Sequence, residues 1–450
     1  MWPTSSSPEA RGATGRALRV AAGLVAGALL AAGCAGIDSG PSRAGLPLSP
    51  WVSRAVPDAR GTITTLPDGA RRAVRYPGWS TEDFGRFRTY AYDDDRPGVP
   101  IGRATMPAIA GDAQKGRRLF LSRTIGPCTG CHLVRGADVW PAGNVGPDLS
   151  SYGDRKLPAQ YTFDQIYDPR HVFPQSIMPA WGSAGILAPD DIAHIVAFLG
   201  TQSGPLPQEK DAERNPNTRE RSRGFGDNLD PTNNPAVLRA EGAEAIWTRV
   251  GPSGMACAGC HQGGVEAAMK GVATRYPRFV RTSSRIMSIE DFLTVHGPET
   301  TGQRFLAEGA ETLDLAMLIK MASNGMPMAL DLSGRETQAA LARGKASFYR
   351  RVGQRDHACA DCHTAEGGRG AGKFLGGRML VDVESGLTRH FPTWRTSVAD
   401  VWDMRKRLQW CMTPLGTNML AADAVEYAEL ELYLTSFDQG KPLSVPGIRH

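Results

Sequence analysis

Three Cys-x-x-Cys-His runs carry the chemistry most legible in this chain: Cys128-Thr129-Gly130-Cys131-His132, Cys257-Ala258-Gly259-Cys260-His261 and Cys359-Ala360-Asp361-Cys362-His363. Each has the pattern of a c-type haem attachment site. Two thiols add to the haem vinyl groups, and the adjacent His becomes the proximal iron ligand. Six of the eight cysteines are used this way, leaving Cys34 and Cys411 and no plausible structural disulfide. Three covalent haem c groups are expected.

The second axial ligand tunes each iron. For the first haem the candidate is Met178 in Ser176-Ile177-Met178-Pro179, with Met106 as an alternative. For the third it is Cys411, whose thiolate would stabilise ferric iron. The plain alternative is a buried, inert cysteine. For the second it is His296, with Met326 and Met328 as alternatives. An internal repeat nominates His296. Thr274-Arg275-Tyr276-Pro277 echoes Thr388-Arg389-His390-Phe391-Pro392, and equal counting from Pro277 and Pro392 lands on His296 and Cys411. His171, His194, His357 and His390 read as loop or surface residues.

Arg407 precedes Cys411 by four residues in a stretch that reads as helix, Met404 to Cys411, so the two share a face. A guanidinium there lowers the thiol pKa and offers a donor fork to an oxyanion such as a sulfonate. That pairing points to a sulfur oxyanion as substrate; the plain alternative is a solvated basic helix face.

The elements that must position these groups are mainly α-helical, in three cytochrome c-like haem domains. Residues 105–200 read as a mono-haem unit. Its first helix starts near Asp112, and its closing helix places Ile192, Ile195, Val196 and Leu199 on one face. Residues 201–235 are a polar linker by composition. Residues 236–335 and 336–450 read as a duplicated pair: Gly242 and Gly344 precede their haem motifs at equal spacing. Each copy closes on a helical pattern, Leu315, Leu318 and Ile319 in one, Val425, Ala428 and Leu432 in the other. Residues 35–104 read as an extended arm. Residues 1–34 read as an export signal, with Arg11, Arg16 and Arg19 before the apolar run from Val20 to Leu30. Its end, Leu30-Ala31-Ala32-Gly33-Cys34, is similar to a lipoprotein box and makes Cys34 a candidate lipid anchor. An ordinary secretory signal is the alternative. Both readings give a periplasmic protein. The net charge of +5 is dispersed and gives no case for nucleic acid.

These residues resemble SoxXA, the c-type cytochrome of thiosulfate oxidation, with both subunits in one chain. The SoxX-like matches are residues 111–117, Cys128 to His132, Gly146-Pro147-Asp148-Leu149, Tyr167-Asp168-Pro169, Met178-Pro179 and residues 195–199. The matches to di-haem SoxA are Met269 to Ala273, Tyr276-Pro277, Phe391 to Arg395, Arg407 to Cys411, Leu430 to Leu434 and Val445 to Arg449. The resemblance implies an L-cysteine S-thiosulfotransferase that conjugates thiosulfate to a cysteine of a SoxYZ-like carrier. It implies that Cys411, in thiolate or persulfide form, is the catalytic sulfur and that Arg407 holds thiosulfate or the thiolate. It implies a cytochrome c acceptor beyond the first haem. His296 is a departure, because the family commonly has Cys there. A thiosulfate dehydrogenase forming tetrathionate and a non-enzymatic tri-haem carrier are the competing readings.

Overall fold

The computed structural model describes residues 62–65, 72–75, 101–122, 128–174, 176–219, 232–351, 357–366, 370–415 and 422–449. Cys34 lies outside them, as does most of the N-terminal arm. Within that arm β1 (Thr62–Thr65) and β2 (Arg72–Arg75) pair antiparallel.

In the mono-haem half, α1 (Ala113–Leu121) begins at Asp112, whose carboxylate accepts from the N–H groups of Gln114 and Lys115. This satisfies donors that a helix start otherwise leaves orphaned. Next come α2 (Ala159–Tyr167) and α3 (Pro189–Gly200). Pro189, Asp190 and Asp191 open α3, where a fixed φ and negative charge suit a helix N-terminus. α1 and α3 cross at Gly116, where a Cβ would fall 1.9 Å from the His194 carbonyl oxygen. The His194 ring adds a fastener, with Nδ1 accepting from the Asp112 N–H at 2.9 Å. Phe120, Phe163, Ile192, Ile195, Phe198 and Leu199 fill the core between these helices.

The second half starts with α4 (Pro235–Gly242), capped by Asn234, and α5 (Glu244–Thr248). The second haem motif forms α6 (Cys257–Cys260). A hairpin of β3 (Arg278–Val280) and β4 (Arg285–Met287) leads into α7 (Ile289–Thr300) and α8 (Ala310–Met321). The second copy supplies α9 (Arg335–Tyr349), α10 (Cys359–His363), a hairpin of β5 (Phe374–Leu375) and β6 (Arg378–Met379), then β7 (Thr393–Arg395), β8 (Asp400–Trp402), α11 (Met404–Leu415), α12 (Val425–Ser436) and β9 (Gly447–Arg449). Hairpin and helices recur at a constant offset of 115 residues: 278 with 393, 285 with 400, 289 with 404 and 310 with 425. Position 296 coincides with 411 in that frame. β7 pairs with β8 on one side and with β9, in parallel, on the other.

The two copies share one core. Trp247, Leu293 and Leu315 of the first pack in a cluster with Val401, Ala428 and Leu432 of the second. Gly344 lets α9 meet α12, since a Cβ there would lie 2.1 Å from the Glu429 carbonyl oxygen. Gly242, its counterpart by spacing, meets nothing within 4 Å. A buried ion pair joins the equivalent helices α7 and α11: both Arg405 nitrogens Nη1 and Nη2 donate to the Asp291 carboxylate at 2.8 Å.

The mono-haem half docks on the β5–β6 hairpin. The Asn144 N–H donates to the Phe374 carbonyl at 2.9 Å, and the Phe374 N–H returns a bond to Asn144 Oδ1 at 2.7 Å. The Gly376 N–H donates to the Gly130 carbonyl, inside the first haem motif, at 2.8 Å.

Candidate haem and sulfur site

Each Cys-x-x-Cys-His run folds into one helical turn. The His132 N–H donates to the Cys128 carbonyl at 2.8 Å and the His261 N–H to the Cys257 carbonyl at 3.0 Å; the third run is α10 itself. One turn brings cysteines three apart onto a common face. His132 Nδ1 lies 2.8 Å from the Pro147 carbonyl oxygen, and His363 Nδ1 lies 2.8 Å from that of Val381. A carbonyl partner on Nδ1 fixes the tautomer and leaves Nε2 for a metal. Gly146 is required beside the first imidazole, because a Cβ would fall 2.2 Å from His132 Cε1.

His261 is placed differently. Its ring sits 5.6 Å from Trp247 and 6.2 Å from the ring of His296, centroid to centroid. Phe292 stacks on His296 at 4.8 Å and steadies it on α7. Met328 is buried in the core, and Met326 packs against Gly271. In the first half, Met178 sits half-buried at the core edge, its N–H donating to Ser176 Oγ at 3.1 Å. Met106 packs on the same core, its N–H donating to Gln160 Oε1 at 2.9 Å. The chemistry of these donor sets fits haem c: each turn carries a thiol pair and an imidazole, and His296 and Cys411 lie beside the second and third imidazoles.

Cys411 lies on α11, half-buried, and Arg407 Nη1 donates to its Sγ at 2.9 Å. Burial opposes the thiolate. Arg407 and the hydrogen-bonded His363 outweigh it and bring the thiol down to about 6. The attachment thiols go the other way. Burial pushes Cys128, Cys359 and Cys362 up to about 12 and Cys131 to about 11. The charge of Cys411 adds to the rise at Cys359 and Cys362, so Cys411 stands beside the third turn. The first turn touches the third-motif half as well, the Gly376 N–H donating to the Gly130 carbonyl at 2.8 Å.

The structure adds arginines that motif reading passed over. Arg395 is 7% exposed, and its Nε has no hydrogen-bond partner among the described residues. Burial, then Arg407, Arg378 and Arg449, push it down to about 10, while Cys411 opposes them. Arg378, exposed on β6, is depressed by partial desolvation of its guanidinium and by Arg407. Arg395 and Arg449 stand opposite each other on β7 and β9, an arrangement of like charges that costs stability unless an anion lies between. No sequence spacing links these residues; the β7–β9 pairing brings Arg395 to Arg449, and Arg378 comes from the separate β5–β6 hairpin. A second difference concerns His357, expected at the surface. It is buried, with Nδ1 3.4 Å from Asp361 Oδ2, because Asp361 folds back to cap α10 by accepting from the Ala358 N–H.

Comparison with known proteins separates the halves. Residues 242–328 match the family model described as SoxA/TsdA, cytochrome c domain, and residues 111–199 match that of cytochrome C oxidase, cbb3-type, subunit III. The L-cysteine S-thiosulfotransferase subunit SoxA of Pseudaminobacter salicylatoxidans is 31% identical over 220 residues, 48% of this chain and 73% of that protein. The chain belongs to the SoxA family. The SoxA subunit of Rhodovulum sulfidophilum is 27% identical, over 49% of this chain and 75% of its own length. The crystal structure of SoxXA from P. pantotrophus aligns at 26% identity with a TM-score of 0.44, covering 49% of this chain and 80% of that one. This SoxA-family chain therefore carries cytochrome c-type regions around its first two motifs, and their cofactor class is covalent haem c. Among the described residues, no helix is long and apolar enough to cross a membrane.

Proposed function

We propose that this chain is a fused, three-haem L-cysteine S-thiosulfotransferase. It joins thiosulfate to a cysteine of a SoxYZ-like carrier and passes two electrons to a cytochrome c. The observation that carries the reading is the Cys411 sulfur, 2.9 Å from Arg407 Nη1 and among further arginines. Haem c at the three motifs supplies the electron acceptors when bound. Cys128, Cys131 and His132, Cys257, Cys260 and His261, and Cys359, Cys362 and His363 would hold them, with Met178, His296 and Cys411 on the distal sides.

The chain's own groups perform the rest. Arg395, with its buried free Nε, and Arg378 take the sulfonate oxygens of thiosulfate. That pose turns the terminal sulfur toward Cys411 Sγ. A sulfur–sulfur bond forms between them as two electrons leave, giving a Cys411 S-thiosulfonate. The carrier thiolate then attacks the sulfur bearing the sulfonate. It takes the thiosulfonate and releases the Cys411 thiolate. The low pKa that Arg407 imposes makes Cys411 the better leaving group in that exchange. The net loss is one proton, from the carrier thiol, and two electrons. In this reading residues 1–34 are an export signal that carries the activity to the periplasm, with Cys34 as its lipid anchor.

Mass analysis of the Cys411 peptide after exposure to thiosulfate and an oxidised acceptor tests the reading. A mass gain of one thiosulfate, discharged by carrier thiol and absent in Cys411→Ala, is expected. Robust tetrathionate formation without carrier would instead favour the thiosulfate dehydrogenase. Thiosulfate-dependent reduction that survives Cys411→Ala would favour the plain electron carrier.

A further inference from the structure

The segment joining the halves ends its described part at Arg219, and that side chain touches three separate stretches. Its guanidinium lies over the Trp140 ring at 4.7 Å and the Phe374 ring at 4.9 Å. Nη1 donates to the Gly376 carbonyl at 3.2 Å and Nη2 to the Ala142 carbonyl at 3.4 Å. Nε donates to the Glu213 carbonyl at 2.7 Å, so the segment itself is closed around the group. Trp140 and Ala142 belong to the mono-haem half; Phe374 and Gly376 belong to the hairpin of the third-motif half. Asn144 Nδ2 continues the same seam, donating to the Pro216 carbonyl and to Asn217 Oδ1. The seam leaves no slack: a Cβ on Gly143 would fall 1.8 Å from the Gly130 carbonyl oxygen and 2.4 Å from that of Phe374.

We propose that Arg219 is a positioning residue that clamps the Cys128–His132 turn against the Cys359–His363 half. The joining segment is then part of the interface rather than a tether. A flexible tether would only raise effective concentration. A planar cation between two aromatic rings, with its fork on both backbones, fixes orientation as well. Lysine cannot reproduce that geometry. The clamp keeps the first haem turn, at Gly130, on Gly376 of the third-motif half, which shortens the electron path that the proposed function requires; in that respect it rests on that reading.

Two measurements on the haem-loaded full chain test it without thiosulfate. A protease site is introduced between residues 221 and 230 and cut, and the product is run on gel filtration. The cut parent is expected to elute as one species and cut Arg219→Ala as two. The docking equilibrium should weaken roughly ten- to hundredfold with the loss of two cation–π contacts and two hydrogen bonds. Photochemical one-electron injection then reads equilibration among the haems. It should be at least about tenfold slower in Arg219→Ala, with each haem's spectrum unchanged, the mark of a shifted docking pose rather than a damaged fold. Arg219→Lys should fall between the two. If Arg219→Ala does not fold, Phe374→Leu removes one face of the sandwich and should show the same two effects. A cut Arg219→Ala chain that stays whole and equilibrates within about twofold of the parent would overturn the clamp. Failed conjugation with an intact clamp would sink the function reading alone.

Discussion

Arg395 and Cys411 illustrate what separates this site from a plain electron carrier. A buried arginine with an unused donor is costly in isolation, because a charged group out of water needs a partner. The surrounding arginines make that cost larger, and a doubly charged anion removes it. Arg395→Leu should therefore raise KM for thiosulfate about 10- to 100-fold, the loss of one charge-assisted hydrogen bond. The change in kcat should be small, because Arg407 still holds the sulfur. Steady-state kinetics at two ionic strengths check this. An unchanged KM would remove Arg395 from the anion site. Arg407→Ala should behave differently, lowering kcat more than it raises KM, because it raises the pKa of the leaving thiol.

Among elements, the pair of helices α7 and α11 carries most of the design. They occupy equivalent places in the repeat, one with His296 and the other with Cys411, and Asp291–Arg405 ties them together. Ser288 starts α7 with a capping box that uses the same Asp291 carboxylate, so one side chain both begins the helix and holds its twin. Asp291→Ala leaves Arg405 buried without its partner and should cost about 3–5 kcal/mol. Thermal unfolding should show that loss, and the spectra of both the second and third haems should broaden. A shift confined to one haem would mean the pair does not link the two. The repeat was legible in the sequence because haem motifs, Pro277/Pro392 and the helical patterns keep their spacing. The helices at Asp112, Pro189 and Met404 were legible from caps and periodicity. The arginine cluster and the shared core were not, since both arise from pairing between strands and helices far apart in sequence. β7 and β9 put Arg395 beside Arg449 only after the chain has returned.

For the whole molecule, the distribution of buried acids separates the two halves. The mono-haem half has its own core, and its seam with the rest is built of polar contacts and Arg219 rather than a continuous apolar layer. Its main buried acid, Asp168, is desolvated, yet Arg170, Ser183 and the Gly102 N–H hold its carboxyl well below the usual range. A depressed carboxylate adds stability that is complete above about pH 4 and is lost as pH falls further, so Asp168 contributes no change between pH 5 and 8. The other half has the opposite bias. Burial, reinforced by Asp403, pushes Glu308 up to about 8, and burial with Glu290 does the same to Glu431. Burial raises Asp403 and Asp423 to about 6. A raised carboxyl binds its proton more tightly folded than unfolded, so its stabilising share is lost as pH climbs from the unfolded value toward 8. Calorimetry should therefore resolve two transitions. The one from the second half should fall by roughly 5–10 °C between pH 5 and pH 8, for a loss of a few kcal/mol in a domain of this size. The mono-haem transition should show no such fall over that range, because burial lowers its His132, and should drop below about pH 4 as Asp168 protonates. Glu308→Gln should flatten the first curve without touching the second. A single transition with one common pH profile would show instead that the clamp at Arg219 makes the halves unfold as one body.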